Sequence, residues 1–211
     1  MSFRTIHQLR LFLCICACTC AGANAAYAAE IGVRDQSPIV FAEWQPQKGD
    51  ELLVDTEENI GYLIRLDGTY TAFPVATGQR RVVRYIGRTY NATTPASLWK
   101  AKSSEIKGDR ITFGKYGRFL RLYEREDSEE TRTPYGIHSH AYIEKMLAGT
   151  ERYRSMGCVL VSEFVLDRII ETFALNGNEL SVRTINGLGD ETLTYEVLKE
   201  KMTGLQESGK H

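Results

Sequence analysis

The chain has 211 residues, with 26 basic and 27 acidic side chains and a formal net charge of −1. That length fits a single domain, for which roughly 100–200 residues is usual, and is enough to bury a core without disulfide staples. No broad basic stretch argues for nucleic acid, and no basic amphipathic helix argues for stable membrane association of the folded chain.

Residues 1–28 read as a secretory signal peptide. Arg4, His7 and Arg10 precede an apolar run from Leu11 to Ala21, and Ala23-Asn24-Ala25 and Ala26-Tyr27-Ala28 both offer small-x-small cleavage sites. The run is too short for a comfortable membrane span. Export would place the mature chain in the periplasm or outside the cell. Four of the five cysteines, Cys14, Cys16, Cys18 and Cys20, leave with this segment, as do Arg4 and Arg10, so 24 basic residues then face 27 acidic ones. Cys158 alone remains. A single cysteine in an oxidising compartment implies an intermolecular bridge or a functional thiol.

Residues 29–50 form an irregular lead-in with Pro38, Trp44 and Pro46. Short strands are expected at Glu51–Val54, Ile60–Leu66, Thr69–Ala76, Arg81–Ile86, Leu98–Ala101, Arg110–Phe113 and Arg118–Tyr123. In Ile60–Leu66, the alternation of Ile60, Tyr62, Ile64 and Leu66 predicts a half-buried strand. Asp67-Gly68 is a two-residue hairpin turn, and Pro74 assigns the following strand to an edge or a bulge. Closely spaced short strands point to a compact all-β barrel or sandwich. The charged run Glu124–Thr133 reads as a solvated loop. A short helix is expected over Ala141–Ala148. A longer one follows the N-cap Ser162, with Val165, Ile169 and Phe173 on its apolar face and Gly177 at its end. Leu180–Ile185 is the last strand, and residues 187–211 form a C-terminal extension with a peripheral helix.

The chemistry concentrates between Tyr135 and Leu166. His138 and His140 stand upstream of Ser155-Met156-Gly157-Cys158. A reactive cysteine needs a base that makes the thiolate and N–H groups that receive an oxyanion. Either histidine is a candidate base, and Gly157 permits a turn that exposes N–H groups around Cys158. His138 and His140 alternate along an extended segment, so at most one faces the thiol. A zinc site lacks a fourth ligand, and the spacing fits no structural zinc motif, so no metal is expected. Tyr116, Tyr123 and Tyr135 are candidates to line a cleft or to pack between strands.

These segments, in order, resemble the L,D-transpeptidase (YkuD-like) family of bacterial cell-wall enzymes. Phe73-Pro74-Val75-Ala76-Thr77-Gly78 is similar to its strand-end motif, and Thr94-Pro95 with Leu98-Trp99-Lys100-Ala101 to its Thr-Pro stretch. Tyr135-Gly136-Ile137-His138 and Ser155-Met156-Gly157-Cys158 resemble its signature. The resemblance covers about residues 51–186, taken as the catalytic domain. There are departures: Ser97 stands where glycine is common, Met156 where histidine is frequent, and Leu160 where many members have arginine and others asparagine.

The resemblance implies a mainly β fold with a few helices, a single-domain β-sandwich, and no cofactor. It implies Cys158 as nucleophile, His138 as base, the Ser139 carbonyl orienting that histidine, and the Gly157 N–H in the oxyanion hole. Tyr135, Ser155 and His140 would flank the substrate. The implied reaction is cleavage of the diamino acid–D-Ala bond of a peptidoglycan tetrapeptide stem, with transfer of the acyl group to an amine. Hydrolysis of stems or cross-links is the alternative reaction, and a non-catalytic envelope protein that kept the fold is the alternative role. A carbapenem is the implied covalent inhibitor.

Overall fold

The computed structural model describes residues 38–85, 87–126, 129–189 and 191–204. The signal peptide assigned to residues 1–28 lies outside them. Strands β1 (Glu51–Asp55), β2 (Ile60–Ile64) and β3 (Tyr70–Pro74) make an antiparallel meander. A turn forms at Asp67-Gly68, but its loop has three residues, Leu66 to Gly68, rather than two, because Arg65 N–H donates to Thr69 C=O. Gly68 takes φ +99°, and Asp67 Oδ1 accepts from both the N–H and the hydroxyl of Thr69.

After β3 come β4 (Thr77–Gly78), β5 (Val82–Tyr85), β6 (Arg88–Asn91), β7 (Ser97–Ile106), β8 (Arg118–Glu126) and β9 (Glu129–His138). Helix α1 (Ile143–Leu147), β10 (Tyr153–Ser155), β11 (Val159–Leu160), α2 (Glu163–Leu175), β12 (Leu180–Ile185) and α3 (Tyr195–Thr203) complete the order. Eight strands form one curled sheet, ordered β11-β9-β8-β7-β12-β1-β2-β3. The fold is thus mainly β with a few helices. Pro74 is tolerated because β3 is an edge.

The main core lies between one face of the sheet and α2. Val165, Leu166, Ile169 and Phe173 fall on one stripe of that helix and meet Leu52, Val54, Trp99, Ile137 and Val182. Ser162 caps the helix by accepting from Val165 N–H at 3.2 Å. A fully buried aliphatic side chain of this kind contributes about 1.5–3 kcal/mol.

Four further expectations are corrected. The half-buried reading of Ile60–Leu66 gives way to a strand buried on both faces, because α3 covers the second face with Leu198 and Met202 against Leu53, Tyr62 and Ile64. The C-terminal helix is therefore part of a second core, and Leu66, 69% exposed, falls in the turn. Arg110–Phe113 is not a strand. Asp109 Oδ1 accepts from Ile111 and Thr112 N–H, and Gly114 and Gly117 take positive φ, so the segment coils into turns. The charged run is not a loop. It continues β8 into β9, pairing Glu124 with Thr131 and Glu126 with Glu129, while Lys102 of β7 pairs with Glu130.

Within the lead-in, residues 38–50 dock on the sheet. Ile39 N–H donates to Tyr70 C=O, Thr71 Oγ1 donates to Ile39 C=O, and Trp44 is fully buried beneath the Arg65 guanidinium. Arg65 also pairs with the fully buried Asp50. Trp44→Ala is expected to cost about 3–5 kcal/mol of stability, in line with large-to-small core changes. Denaturant titration checks this; a loss below about 1 kcal/mol would mean that these residues are a detachable arm.

Candidate active site

The β8–β9 pair is irregular where the candidate site begins. Between the pairs Arg121↔Gly136 and Tyr123↔Arg132, two steps on β8 face four on β9, so β9 bulges at Thr133–Tyr135. Pro134 fits there because a bulge needs no ladder donor from it. Three hydrogen bonds hold the bulge. Arg121 Nη1 donates to Thr133 C=O at 2.7 Å, Thr133 Oγ1 to Leu122 C=O at 2.7 Å, and Tyr135 N–H to Thr133 Oγ1 at 3.2 Å. Arg121 is 7% exposed and is held by Glu105 through both carboxylate oxygens, which keeps the Glu105 carboxyl well below the usual carboxylate range. The bulge turns the Tyr135 ring edge-on to Trp99 and against the loop that carries Cys158.

That loop, Ser155–Cys158, is fixed on three sides. Ser155 pairs in parallel with Gly78. Its hydroxyl accepts from Gly157 N–H at 3.1 Å and donates to Cys158 C=O at 2.6 Å. Gly157 has φ +115°, and a Cβ there would lie 2.6 Å from the Tyr135 ring and 3.2 Å from Thr93 C=O. Only glycine meets both demands.

Cys158 is half-buried. β11 runs parallel to β9 with Val159 opposite Ile137 and Leu160 opposite His138. This register sets Cys158 beside Gly136, on the same face as His138 and two residues away along β9. Burial among the surrounding protein pushes the thiol up to about 11, opposed by the Gly136 backbone N–H at the sulfur and by the Arg121 guanidinium.

His138 ends β9, is 5% exposed, and packs against the rings of Phe113 and Phe119 at 5.0 and 5.6 Å. Its Nδ1 lies 2.7 Å from Ser139 C=O. A carbonyl only accepts, so this contact assigns the proton to Nδ1 and leaves Nε2 as the basic nitrogen. Burial holds the imidazole down at about 4, against the raising effect of the Ser139 and Thr112 backbone. At neutral pH the thiol and the imidazole are therefore both uncharged. Among the described residues no hydrogen bond joins them; such contacts often tighten only with substrate.

The depressed His138 value has a consequence for stability. The folded state binds this proton near pH 4 and the unfolded state near 6.5, so the unfolded state holds more protons between them. Stability is fully present above pH 6.5 and is lost as pH falls through 4, by up to about 3 kcal/mol from this group. Denaturant titrations at pH 7 and pH 4 should show a smaller acid loss in His138→Gln than in the wild type. Equal losses would mean that the ring titrates normally.

The structure places Ser155, Gly157, Cys158 and Tyr135 in contact around one loop, and sets His138, with Ser139, two residues along β9 from the position opposite Cys158. His140 has a separate engagement: its Nδ1 accepts from Tyr142 N–H at 3.0 Å, at the turn into α1. Gly157 N–H is occupied by Ser155, so it does not point free for an oxyanion here. Tyr116, half-exposed, stacks with Lys115 and Arg118. Sequence reasoning named Gly136 only as part of its motif and missed Arg121, Phe113 and Phe119. The available signal was a lone arginine among apolar residues in Phe119-Leu120-Arg121-Leu122.

Two cavities of about 350 and 370 Å³ open elsewhere, one at Phe73, Pro74 and Val165, the other at Ser97, Arg183 and Lys201; neither is lined by Cys158 or His138. Among the described residues no group of three or more His, Cys, Asp or Glu is placed to hold a metal ion, and no helix is long and apolar enough to cross a membrane.

No protein-family model matches this chain, and no curated protein does. Its fold is similar to several solved structures. An L,D-transpeptidase from Xylanimonas cellulosilytica is 17% identical over 77% of this chain and 69% of that one, with a TM-score of 0.46. Bdellovibrio bacteriovorus Bd1075 is 14% identical over 75% and 55%, with a TM-score of 0.47. A cysteine-to-serine mutant of Enterococcus faecium L,D-transpeptidase is 14% identical over 66% and 50%, with a TM-score of 0.39. The likeness is one of fold, and the chain spans about half the length of the last two.

Proposed function

We propose that this chain is a cysteine-dependent L,D-transpeptidase of the bacterial cell envelope, acting on peptidoglycan stem peptides. The observation that carries the reading is the parallel β9–β11 register, with Cys158 and His138 on one face and the His138 Nδ1 turned to the Ser139 carbonyl. The order of motifs in the sequence supports it independently.

In this reading Cys158 Sγ attacks the carbonyl of the diamino acid in a tetrapeptide stem. A carbon–sulfur bond forms, and the thiol proton passes to His138 Nε2. Collapse of the tetrahedral intermediate breaks the bond to the terminal D-Ala, whose amine takes that proton. An amine of a second stem then attacks the thioester and gives a proton to His138; the carbon–nitrogen bond forms, the carbon–sulfur bond breaks, and the proton returns to sulfur as the thiol. The resting pair is neutral, so proton transfer accompanies attack, as in general-base catalysis. The Gly136 N–H and the Arg121 guanidinium stabilise negative charge at sulfur. Since Gly157 N–H is occupied by Ser155, the Cys158 N–H is the donor assigned to the oxyanion.

Incubation of purified mature protein with tetrapeptide-bearing muropeptides, followed by mass-resolved chromatography, tests this. Cross-linked dimers with release of D-Ala are expected. Trimmed tripeptides alone would assign hydrolysis, and unchanged muropeptides would leave a fold without this activity.

A further inference from the structure

Between Gly78 and Thr94 the chain makes a two-stranded ribbon, β5 with β6, which in the described residues pairs only with itself. Both of its legs are rooted at the nucleophile loop. On the first, Gln79 N–H donates to Ser155 C=O at 3.1 Å, and Gln79 Nε2 lies 3.4 Å from Met156 Sδ. On the second, Thr93 C=O lies against Gly157, and Thr94 Oγ1 accepts from Gly78 N–H at 2.9 Å.

The register pairs Val83 with Tyr90 and Tyr85 with Arg88, and Val82 with Asn91 and Arg84 with Thr89. Strand alternation then gives one face to Val83, Tyr85, Arg88 and Tyr90, and the opposite face to Val82, Arg84, Thr89 and Asn91. Val83 and Tyr90 are half-buried while the other six residues are exposed, so the face of Val83 and Tyr90 is the one turned to the protein. Burial, then the charges of Tyr85, Cys158 and Tyr135, push the Tyr90 hydroxyl up, so all three groups lie within electrostatic reach of it. Arg88 shares that face and is exposed. Among the described residues neither it nor Arg84 has a carboxylate partner.

We infer that the inner face of the ribbon, through Arg88 with Tyr85 and Tyr90, recognises a free carboxylate on the acyl-donor peptide. This rests on the acyl-transfer reading above and specifies the substrate of that site. Arg88 is two residues along β6 from Tyr90, about 7 Å, and an extended peptide covers that distance in about two residues. Arg84, on the other face, plays no part.

The test measures binding apart from turnover. The probes are a stem tetrapeptide with free carboxylates and the same peptide amidated, titrated by calorimetry into full-length mature Cys158→Ser protein. The free peptide should bind about tenfold more tightly than the amide, in keeping with a charge-assisted contact. Adding Arg88→Gln should remove that difference, Arg88→Lys should restore part of it, and Arg84→Gln should leave it intact. Equal binding of the two peptides, or equal losses in Arg88→Gln and Arg84→Gln, would overturn the inference. Discrimination that depends on Arg88, in a protein whose wild type releases no D-Ala, would support carboxylate recognition while removing the catalytic reading.

Discussion

Replacing Cys158 by serine is expected to abolish D-Ala release and cross-linking, a loss of up to about six orders of magnitude, as when a covalent nucleophile is removed elsewhere. The physical reason is the ionisation of the attacking atom. Burial raises the thiol to about 11, and the Gly136 N–H and the Arg121 guanidinium offset only part of that rise. A serine hydroxyl is far less acidic, and the same two donors do not close that gap. The fold should persist, because Ser155 holds the loop through backbone groups of Gly157 and Cys158 that the substitution keeps. Muropeptide analysis alongside a melting curve checks both halves. Retained turnover would move the nucleophile elsewhere.

His138→Ala should lower turnover by about 10²–10⁴-fold, the usual contribution of a general base. His140→Ala should change it little, since that ring serves the turn into α1. The pH profile gives a sharper signature. The base must be unprotonated, and burial holds His138 near 4, so the acid limb of kcat/KM should fall near pH 4 rather than 6.5. An acid limb near 6.5, or a larger loss in His140→Ala, would give the role of base to His140.

The nucleophile loop was legible in the sequence because its constraints are local. Ser155, Gly157 and Cys158 lie within four residues, and the turn that Gly157 permits is realised with φ +115°. Helix α2 was legible for the same reason, through its cap and its apolar stripe. What was not legible depended on partners distant in the chain. Glu124–Thr133 extends as a hairpin because β7 supplies Lys102 to Glu130, 28 residues away. Both faces of β2 are buried because α3 returns to the sheet more than 120 residues later. Arg121 gained its place at the thiol from the β9 bulge, which no periodicity signals. Arg110–Phe113 has strand-like composition, but the Asp109 side chain offers its N–H groups a nearer acceptor.

The proposed function requires Cys158 to be a reachable nucleophile that gives up its proton as it attacks, with an N–H placed for the oxyanion. A carbapenem presents a strained acyl carbonyl to such a thiol without requiring the natural acceptor. Intact-mass spectrometry of reduced mature protein after long incubation with a carbapenem should show one covalent adduct. Digestion should map it to the Cys158 peptide, and it should be absent in Cys158→Ser and slow to form in His138→Ala. Folded wild-type protein that stays unmodified, with its thiol still reduced, would contradict the account.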